Sequence, residues 1–465
     1  MTIAIVVLML IGYVLICCEH VTRVNKATVA MFCGVCGWVM FICVGPEYIN
    51  SLHNVEFLEF LEGSAFSIAA VNEYIYRNLF TKHMVELCSI VMYLLATMSI
   101  VTVLSDNDCF RFITDWCRSK RTLQTLWCLA FFSFILSANL DNLTSAVVML
   151  TILNQIVVNT RQRMLLGAVI VIATNCGGCF TVIGDVTSLL IWTRGAVTPT
   201  NYIGALVLPA VVATIVPTYL IGRMLPDHLD LKRTGVMFRG DDSSLAAWQR
   251  YLMLFLGIGG LWFVPTFYRL TMLPPFLGAL CVLGVLWVAN EIFNRKAILA
   301  DQPVTVSSWG SLQYEITQTI MFFVGVSLCV CLLIEVGVMN EVASWCDRYI
   351  HNIYIMSLFL GFVSSVMDNV ALVMSSVSIY PVYEDVQGLS GYVSSFVQNG
   401  QYWHLVALSG CVGGCLLPFG NTAAYALMKS EDISVMWYIR NVTLKVLAGW
   451  LLSLGVYFLV DYFLR

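Results

Sequence analysis

The chain has 465 residues, of which 59% are hydrophobic and only 11% charged, with a net charge of -4 and a mean hydropathy of +0.83. An ordinary soluble domain carries about a quarter charged residues, so the composition excludes a soluble globular protein and predicts an all-α integral membrane protein whose partner is the lipid bilayer, not nucleic acid. Of the 17 cysteines, all but Cys109, Cys117 and Cys346 lie in apolar segments, and their odd number argues against an extracellular disulfide framework.

Apolar runs near the roughly 20 residues that cross a bilayer recur along the chain. They cover Thr2 to Cys18, Ala27 to Val44, Met84 to Leu104, Tyr202 to Leu225, Tyr251 to Tyr268, Leu273 to Asn290, Ile316 to Val338 and Val442 to Leu464. The first run has no basic segment before it and no small-residue cleavage site before Glu19, so it reads as a retained span. The polar stretches Ser105 to Thr122, Pro226 to Gln249 and Glu291 to Tyr314 are too short for domains and read as loops.

Short cytoplasmic loops collect Lys and Arg. Arg23 and Lys26 fall inside; Glu47, Glu56, Glu59, Glu62 and Glu73, against Arg77 and Lys82, fall outside; Arg111, Arg118, Lys120 and Arg121 fall inside again. The N-terminus is therefore expected outside. The alternation then continues only if Leu123 to Asn159 and Ile350 to Val382 are hairpins, the first opening inward and the second outward, toward Glu384 and Asp385. Their arms are short: Leu123 to Asn139 is about 25 Å of helix and Val370 to Val382 about 20 Å, against a hydrocarbon core of about 30 Å. The hairpins are thus predicted to be re-entrant, with the tips Leu140-Asp141-Asn142 and Met367-Asp368-Asn369 deep in the membrane.

Each hairpin precedes a second unusual segment, "TNCGGCFTVIGDVTSLLIW" at 174–192 and "SGCVGGCLLPFGNTAAYALM" at 409–428. Setting Gly177-Gly178 on Gly413-Gly414 brings Cys179 onto Cys415, Gly184 onto Gly420 and Asp185 onto Asn421 without a gap. Two such halves entering from opposite sides are the signature of an inverted-topology repeat in a secondary transporter. The glycines are expected to break each spanning helix in two and free backbone groups for a wet cavity. The expected architecture is about 10 spanning helices, two re-entrant hairpins and two broken helices. It divides into N-terminal scaffold spans at 1–122, the first hairpin, broken helix and following span at 123–225, linking loops and spans at 226–315, and the second half at 316–465.

These stretches resemble the NhaD-type sodium/proton antiporters of the wider ion-transporter superfamily, which also includes dicarboxylate and arsenite carriers. The matching residues are Ser137-Ala138, Leu140 to Thr144, Asn175, Gly177-Gly178, Ile183 to Thr187 and Met367 to Val370, with "EHVTRVNKA" at 19–27 resembling the family's opening. The chain departs from the family pattern at Val182 and Ala371, where proline is usual, and near Cys415 and Asn421, where serine-rich chemistry is usual. The resemblance implies a transporter, not an enzyme. It implies no cofactor beyond the transported sodium or lithium and protons, a dimer scaffold formed by the remaining spans, and a bacterial plasma or inner membrane.

Sodium and lithium prefer oxygen ligands. Asp141, Asn142, Thr144, Asn175, Asp185, Thr187, Asp368 and Asn369 supply them, with Asn421 and Thr422 as further candidates. A carboxylate in a low-dielectric site favours its neutral form, and a cation arriving at the same oxygens reverses that preference, so proton and cation compete. Asp141 and Asp185 are expected to form the core, with Asp368 brought near by the repeat. Glu335 and Glu86 sit near span ends, and Glu335 is a candidate proton-path residue. Two rival readings remain at this point. One is a sodium-coupled dicarboxylate carrier; the other is a thiol metal or redox site built from Cys176, Cys179, Cys411 and Cys415.

Overall fold

The computed structural model describes residues 2–17, 19–22, 24–61, 66–232, 245–299, 310–384 and 391–464. Arg23, Glu62 and Asp385, which entered the charge argument, lie outside the described residues. Among those described, the secondary structure is helical, apart from three isolated bridges.

Among the described residues, seven helices are long and apolar enough to cross a bilayer, or eight if the pair Ala247–Gly259 and Phe263–Thr271, bent by 44°, is one span. Thr2–Cys17, at 16 residues, falls just short. The segment expected to be an outer loop at 45–82 is itself helical. Gly45–Leu52 and Asn54–Leu61 are short helices, and Ile68–Asp106 runs through a π-helical turn at Ile75–Phe80 into a continuous 39-residue span. Apolar faces on these outer turns, with Phe57 and Tyr74 buried together, explain why the stretch does not remain a loop.

The hairpins have arms too short to span. Thr122–Ser137 and Asn142–Ile156 have 16 and 15 residues; Ile353–Val366 and Asn369–Ile379 have 14 and 11. At 1.5 Å per residue the longest of these reaches about 24 Å, short of the roughly 30 Å hydrocarbon core. Their bases lie at opposite ends of the molecule. The first hairpin's base is tied to the basic segments: Thr122 N donates to Asp227 O, Val158 N to Asp230 O, and Arg163 Nε to both oxygens of Glu431 at 2.8 and 3.0 Å. The second hairpin leads into a segment held at the other end, where Asn399 N donates to Ala196 O and Gln398 Nε2 to Gly195 O.

The two broken helices are Thr160–Cys179 followed by Val186–Thr193, and Gln401–Gly413 followed by Thr422–Glu431. Thr160–Cys179 is the centre of the molecule, with 89% of its apolar window buried, so its walls are protein and not lipid. The two glycine pairs differ: Gln401–Gly413 ends at its pair, with Gly414 as the C-cap, whereas the first pair does not itself break its helix. Thr160–Cys179 runs straight through Gly177 and Gly178, and the break follows, at 180–185. Both pairs also serve close approach: a Cβ on Gly177 would stand 2.2 Å from Phe134 O, and one on Gly413 would stand 2.5 Å from Gly361 O. The outer spans hold this core from one side, where Lys26–Cys43 crosses Gly310–Glu335 at Gly34 and Gly325.

Candidate ion site

The repeat is visible in individual bonds. Ser137 Oγ donates to Thr174 O and Ser364 Oγ to Gly410 O, each at 2.6 Å, pinning each hairpin arm to the broken helix of its own half. Cβ atoms on Gly184 and Gly420 would meet Ser137 O and Ser364 O, and those on Gly178 and Gly414 would meet Gly184 O and Gly420 O. Side-chain volume is thus forbidden at the same points in both halves, which lets hairpin tip and helix break touch.

Four capping residues converge there. Asp141 and Asp368 are the N-caps of the inner hairpin arms, both at φ -53°; Asp185 and Asn421 are the N-caps of the second halves of the broken helices, at φ -148° and -153°. A helix N-terminus presents unpaired N–H groups and partial positive charge, so it suits an acid or amide there. Asp141 Oδ2 accepts from Leu143 N at 3.2 Å and Thr144 N at 3.4 Å, and Asp368 Oδ1 from Val370 N at 3.1 Å.

Asp185 shows the site's chemistry most clearly. Its Oδ2 accepts from Thr187 Oγ1 at 2.9 Å, from Cys411 Sγ at 3.2 Å and from Asn369 Nδ2 at 3.4 Å, so residues of both repeats share one oxygen. Its Oδ1 is buried with no hydrogen-bond partner among the described residues, and so are Asp368 Oδ2 and Thr144 Oγ1. Leaving a buried polar atom unmatched costs about 1–3 kcal/mol, more if it is charged. These bare oxygens suit an incoming proton or cation. The three carboxylates line one enclosed cavity of about 20 Å³, together with Asn142, Thr319 and Thr422. That is room for about one water-sized particle.

Not every residue named from the sequence lines this cavity. Asn175 stands behind it, accepting from Asn142 Nδ2 at 3.1 Å and donating to Val171 O at 2.8 Å, and so braces the tip. Asn421 is consumed by capping: its Oδ1 accepts from Ala424 N at 2.7 Å and its Nδ2 donates to Gly414 O at 3.0 Å. Glu335 is outside the cavity lining, at the C-terminal end of Gly310–Glu335, with His83 Nε2 2.6 Å and His53 Nε2 3.1 Å from its oxygens. Glu86 pairs with Arg194 at 3.1 Å. The cysteines gather near the breaks, and only Cys411 touches an ion-site oxygen; among the described residues no group of three or more His, Cys, Asp or Glu side chains is arranged to hold a metal.

Two contributors to the site, Lys26 and Thr319, were not singled out from the sequence, and Cys411, named there for a thiol site, acts instead as a donor to Asp185. Lys26 Nζ lies 3.6 Å from Asp368 Oδ2, and Thr319 lines the cavity. Only Lys26 left a signal, since it sits inside the 19–27 stretch that resembles the family's opening.

The family model described as "Citrate transporter" matches residues 7–391. "Sodium/proton antiporter 2" of Arabidopsis thaliana is 30% identical over 97% of this chain and 98% of its own length. "Na(+)/H(+) antiporter NhaD" of Alkalimonas amylolytica is 25% identical over 91% of this chain and 83% of its own. In fold, the chain is similar to the Alcanivorax borkumensis YdaH transporter, with a TM-score of 0.53 and 12% identity over 84% of this chain and 89% of that one. With the hairpin tips, paired breaks and near full-length matches together, the chain belongs to the citrate-transporter family, on the branch that holds the NhaD-type sodium/proton antiporters.

Proposed function

We propose that this multi-pass membrane protein exchanges sodium, or lithium, for protons, using Asp141 and Asp185 as the shared site. The observation that carries this reading is the cavity of about 20 Å³ lined by three buried carboxylates, among them Asp185, whose Oδ1 has no hydrogen-bond partner among the described residues. Asp141 and Asp185 lie within electrostatic reach of each other. Two such groups cannot both stay ionised in a low dielectric without a compensating cation, and a bound cation leaves no need for the proton. Competition of that kind couples the two fluxes whenever the cavity opens to each side in turn.

The surroundings fit alternating access. On the side of the basic loops a vestibule of about 50 Å³ reaches Thr319 and Thr422, which also line the ion cavity. A separate cavity of about 320 Å³ reaches Tyr93 and the Glu86–Arg194 pair. Both hairpins and both broken helices would move as one core against the remaining spans, which form the scaffold of a homodimer in a plasma or inner membrane, with the N-terminus outside.

The family's description favours a second reading, carriage of a citrate-like anion. Three carboxylates facing one ammonium repel such a substrate. The deciding experiment follows proton movement in inside-out vesicles with a pH-sensitive dye as sodium, lithium or potassium is added, for the natural chain and Asp141→Asn. Sodium- or lithium-triggered proton efflux that the variant abolishes is expected. Retained exchange in Asp141→Asn refutes the assignment of Asp141, and no response to any cation favours the anion carrier.

A further inference from the structure

Lys26 is the first residue of the helix Lys26–Cys43, and its backbone is fixed by Asn25, whose Oδ1 accepts from Ala27 N at 2.8 Å. A cation at a helix N-terminus is electrostatically unfavourable, since that end carries the positive pole of the dipole. Helix formation therefore gives no reason for a lysine here. Its side chain goes inward instead: Nζ sits 3.6 Å from Asp368 Oδ2 and 4.3 Å from the centroid of the Phe322 ring, and Phe322 and Asp368 both line the ion cavity. Among the described residues, Asp368 Oδ2 has no hydrogen-bond partner, and the ammonium is its one close counter-charge.

The repeat sharpens this. Asp141 holds the equivalent place in the first half, yet it forms no ion pair with a basic residue among those described. The pair is thus not something the hairpin tip needs in order to form. Lys26 also comes from the outer spans and not from the repeat, and it lines both the vestibule on the basic side and the apolar cavity of about 350 Å³ behind the second tip. It is a tethered monovalent cation placed where a free one would otherwise bind.

We infer that Lys26 is the resident counter-ion of Asp368, so that only the Asp141–Asp185 pair takes its charge from solution and the site exchanges a single monovalent cation. This rests on the exchange reading above. Lys26 acts through Asp368 and is a positioning residue, not a ligand. Without it, Asp368 must recruit its own cation, so sodium binds more tightly and with a steeper concentration dependence, and turnover slows because the extra ion must also leave.

The test compares Lys26→Gln, Lys26→Arg and the double variant Lys26→Gln/Asp368→Asn in proteoliposomes, reading sodium dependence and maximal rate separately. Lys26→Gln is expected to lower half-saturating sodium about tenfold, steepen the curve and cut the maximal rate about tenfold, less than the loss from breaking a fully buried pair because the Lys26 side chain is 18% exposed. Lys26→Arg keeps the natural curve. The double variant, in which neither charge remains, returns half-saturation and steepness toward the natural values, and it carries the test alone if Lys26→Gln fails to accumulate. An unchanged sodium curve in Lys26→Gln overturns the inference, as does a double variant whose curve remains as altered as the single one. Absence of sodium-driven proton movement in the natural chain would instead overturn the exchange reading itself.

Discussion

A close backbone approach beside a hairpin tip gives the most quantitative expectation, for Gly177→Ala. The added Cβ would stand 2.2 Å from Phe134 O and 2.8 Å from Phe134 Cα, whereas ordinary contact begins at 3.4 Å. The obstacle is backbone of the arm Thr122–Ser137, so no side-chain rotation relieves it, and the arm must recoil by about 1 Å in a close-packed interior. That arm carries the tip with Asp141, so the displacement reaches one carboxylate of a cavity that has room for little more than one water-sized particle. A misplacement of about 1 Å in a reacting or binding group costs about 100-fold. Sodium-driven proton movement should fall by that factor in vesicles, while overpacking lowers stability by about 1–3 kcal/mol and the protein still inserts. Gly204→Ala is the control, because nothing lies within 4 Å of its added Cβ, and removing a helical glycine should stabilise slightly. Exchange within twofold of the natural rate in Gly177→Ala, with normal amounts in the membrane, would refute the argument that this contact positions Asp141.

The symmetry predicts the same behaviour for Gly413→Ala, whose Cβ would meet Gly361 O at 2.5 Å; a loss in one half only would show that the two tips contribute unequally. Cys411→Ala removes a donor from Asp185 Oδ2 and should shift half-saturating sodium by about tenfold, the scale of one hydrogen bond to a charged group, whereas Cys176→Ala, Cys179→Ala and Cys415→Ala should leave exchange intact. Arg163→Ala strands Glu431, which is 3% exposed in its side chain, and should cost about 3 kcal/mol in thermal unfolding of the detergent-solubilised protein. On the opposite side, donating a hydrogen bond to Glu335 raises the proton affinity of His53 above the ordinary histidine value, against the opposing effect of burial. Its contribution is therefore full below about pH 6.5 and fades as pH rises through the raised value. His53→Gln should lower the unfolding temperature at pH 5 to 6 and leave it unchanged at pH 9; a gap that widens with pH would reverse the sign and refute the pairing.

Much of this site was legible in the sequence because burial makes polar residues conspicuous. Aspartate and asparagine in an apolar run are costly in a membrane, so Asp141, Asn142, Asp368 and Asn369 announced themselves, and arm length alone placed them at depth. The gap-free match of 174–192 to 409–428 carried the repeat. What the sequence could not carry was the reason for the glycines. A glycine pair in an apolar helix reads equally as a break or as a close crossing, and only the position of Phe134 and Gly361 distinguishes them. The roles of Asn175 and Asn421 were hidden for a related reason: an amide offers the same atoms whether it faces an ion or satisfies backbone, and the choice lies in what stands opposite. Lys26 was hidden by distance along the chain. Its charge reads as one more loop lysine in a topology count, and nothing local signals that its ammonium reaches a tip formed far downstream.

That hidden contact changes how the two halves are to be compared. The scaffold of the site is symmetric, with matched serine bonds, matched glycine approaches and matched capping positions, but its charge is not. Asp185 in the first half answers to Asn421 in the second, and Asp368 in the second is held by Lys26 while Asp141 in the first has no such partner among the described residues. A symmetric scaffold allows both faces to open by equivalent motions, since each hairpin is pinned to its broken helix by the same bonds. Under the proposed exchange, asymmetric charge on that scaffold would confine the exchangeable ion to one place between the halves, near Asp141 and Asp185. The geometry that permits alternating access and the chemistry that permits competition are therefore written in different residues. Substitutions at the glycines should lower the maximal rate, with a change in sodium dependence where they displace a tip carboxylate as Gly177→Ala does. Substitutions at Thr187, Asn369 or Cys411, which act on Asp185, should instead change cation preference with little effect on the maximal rate.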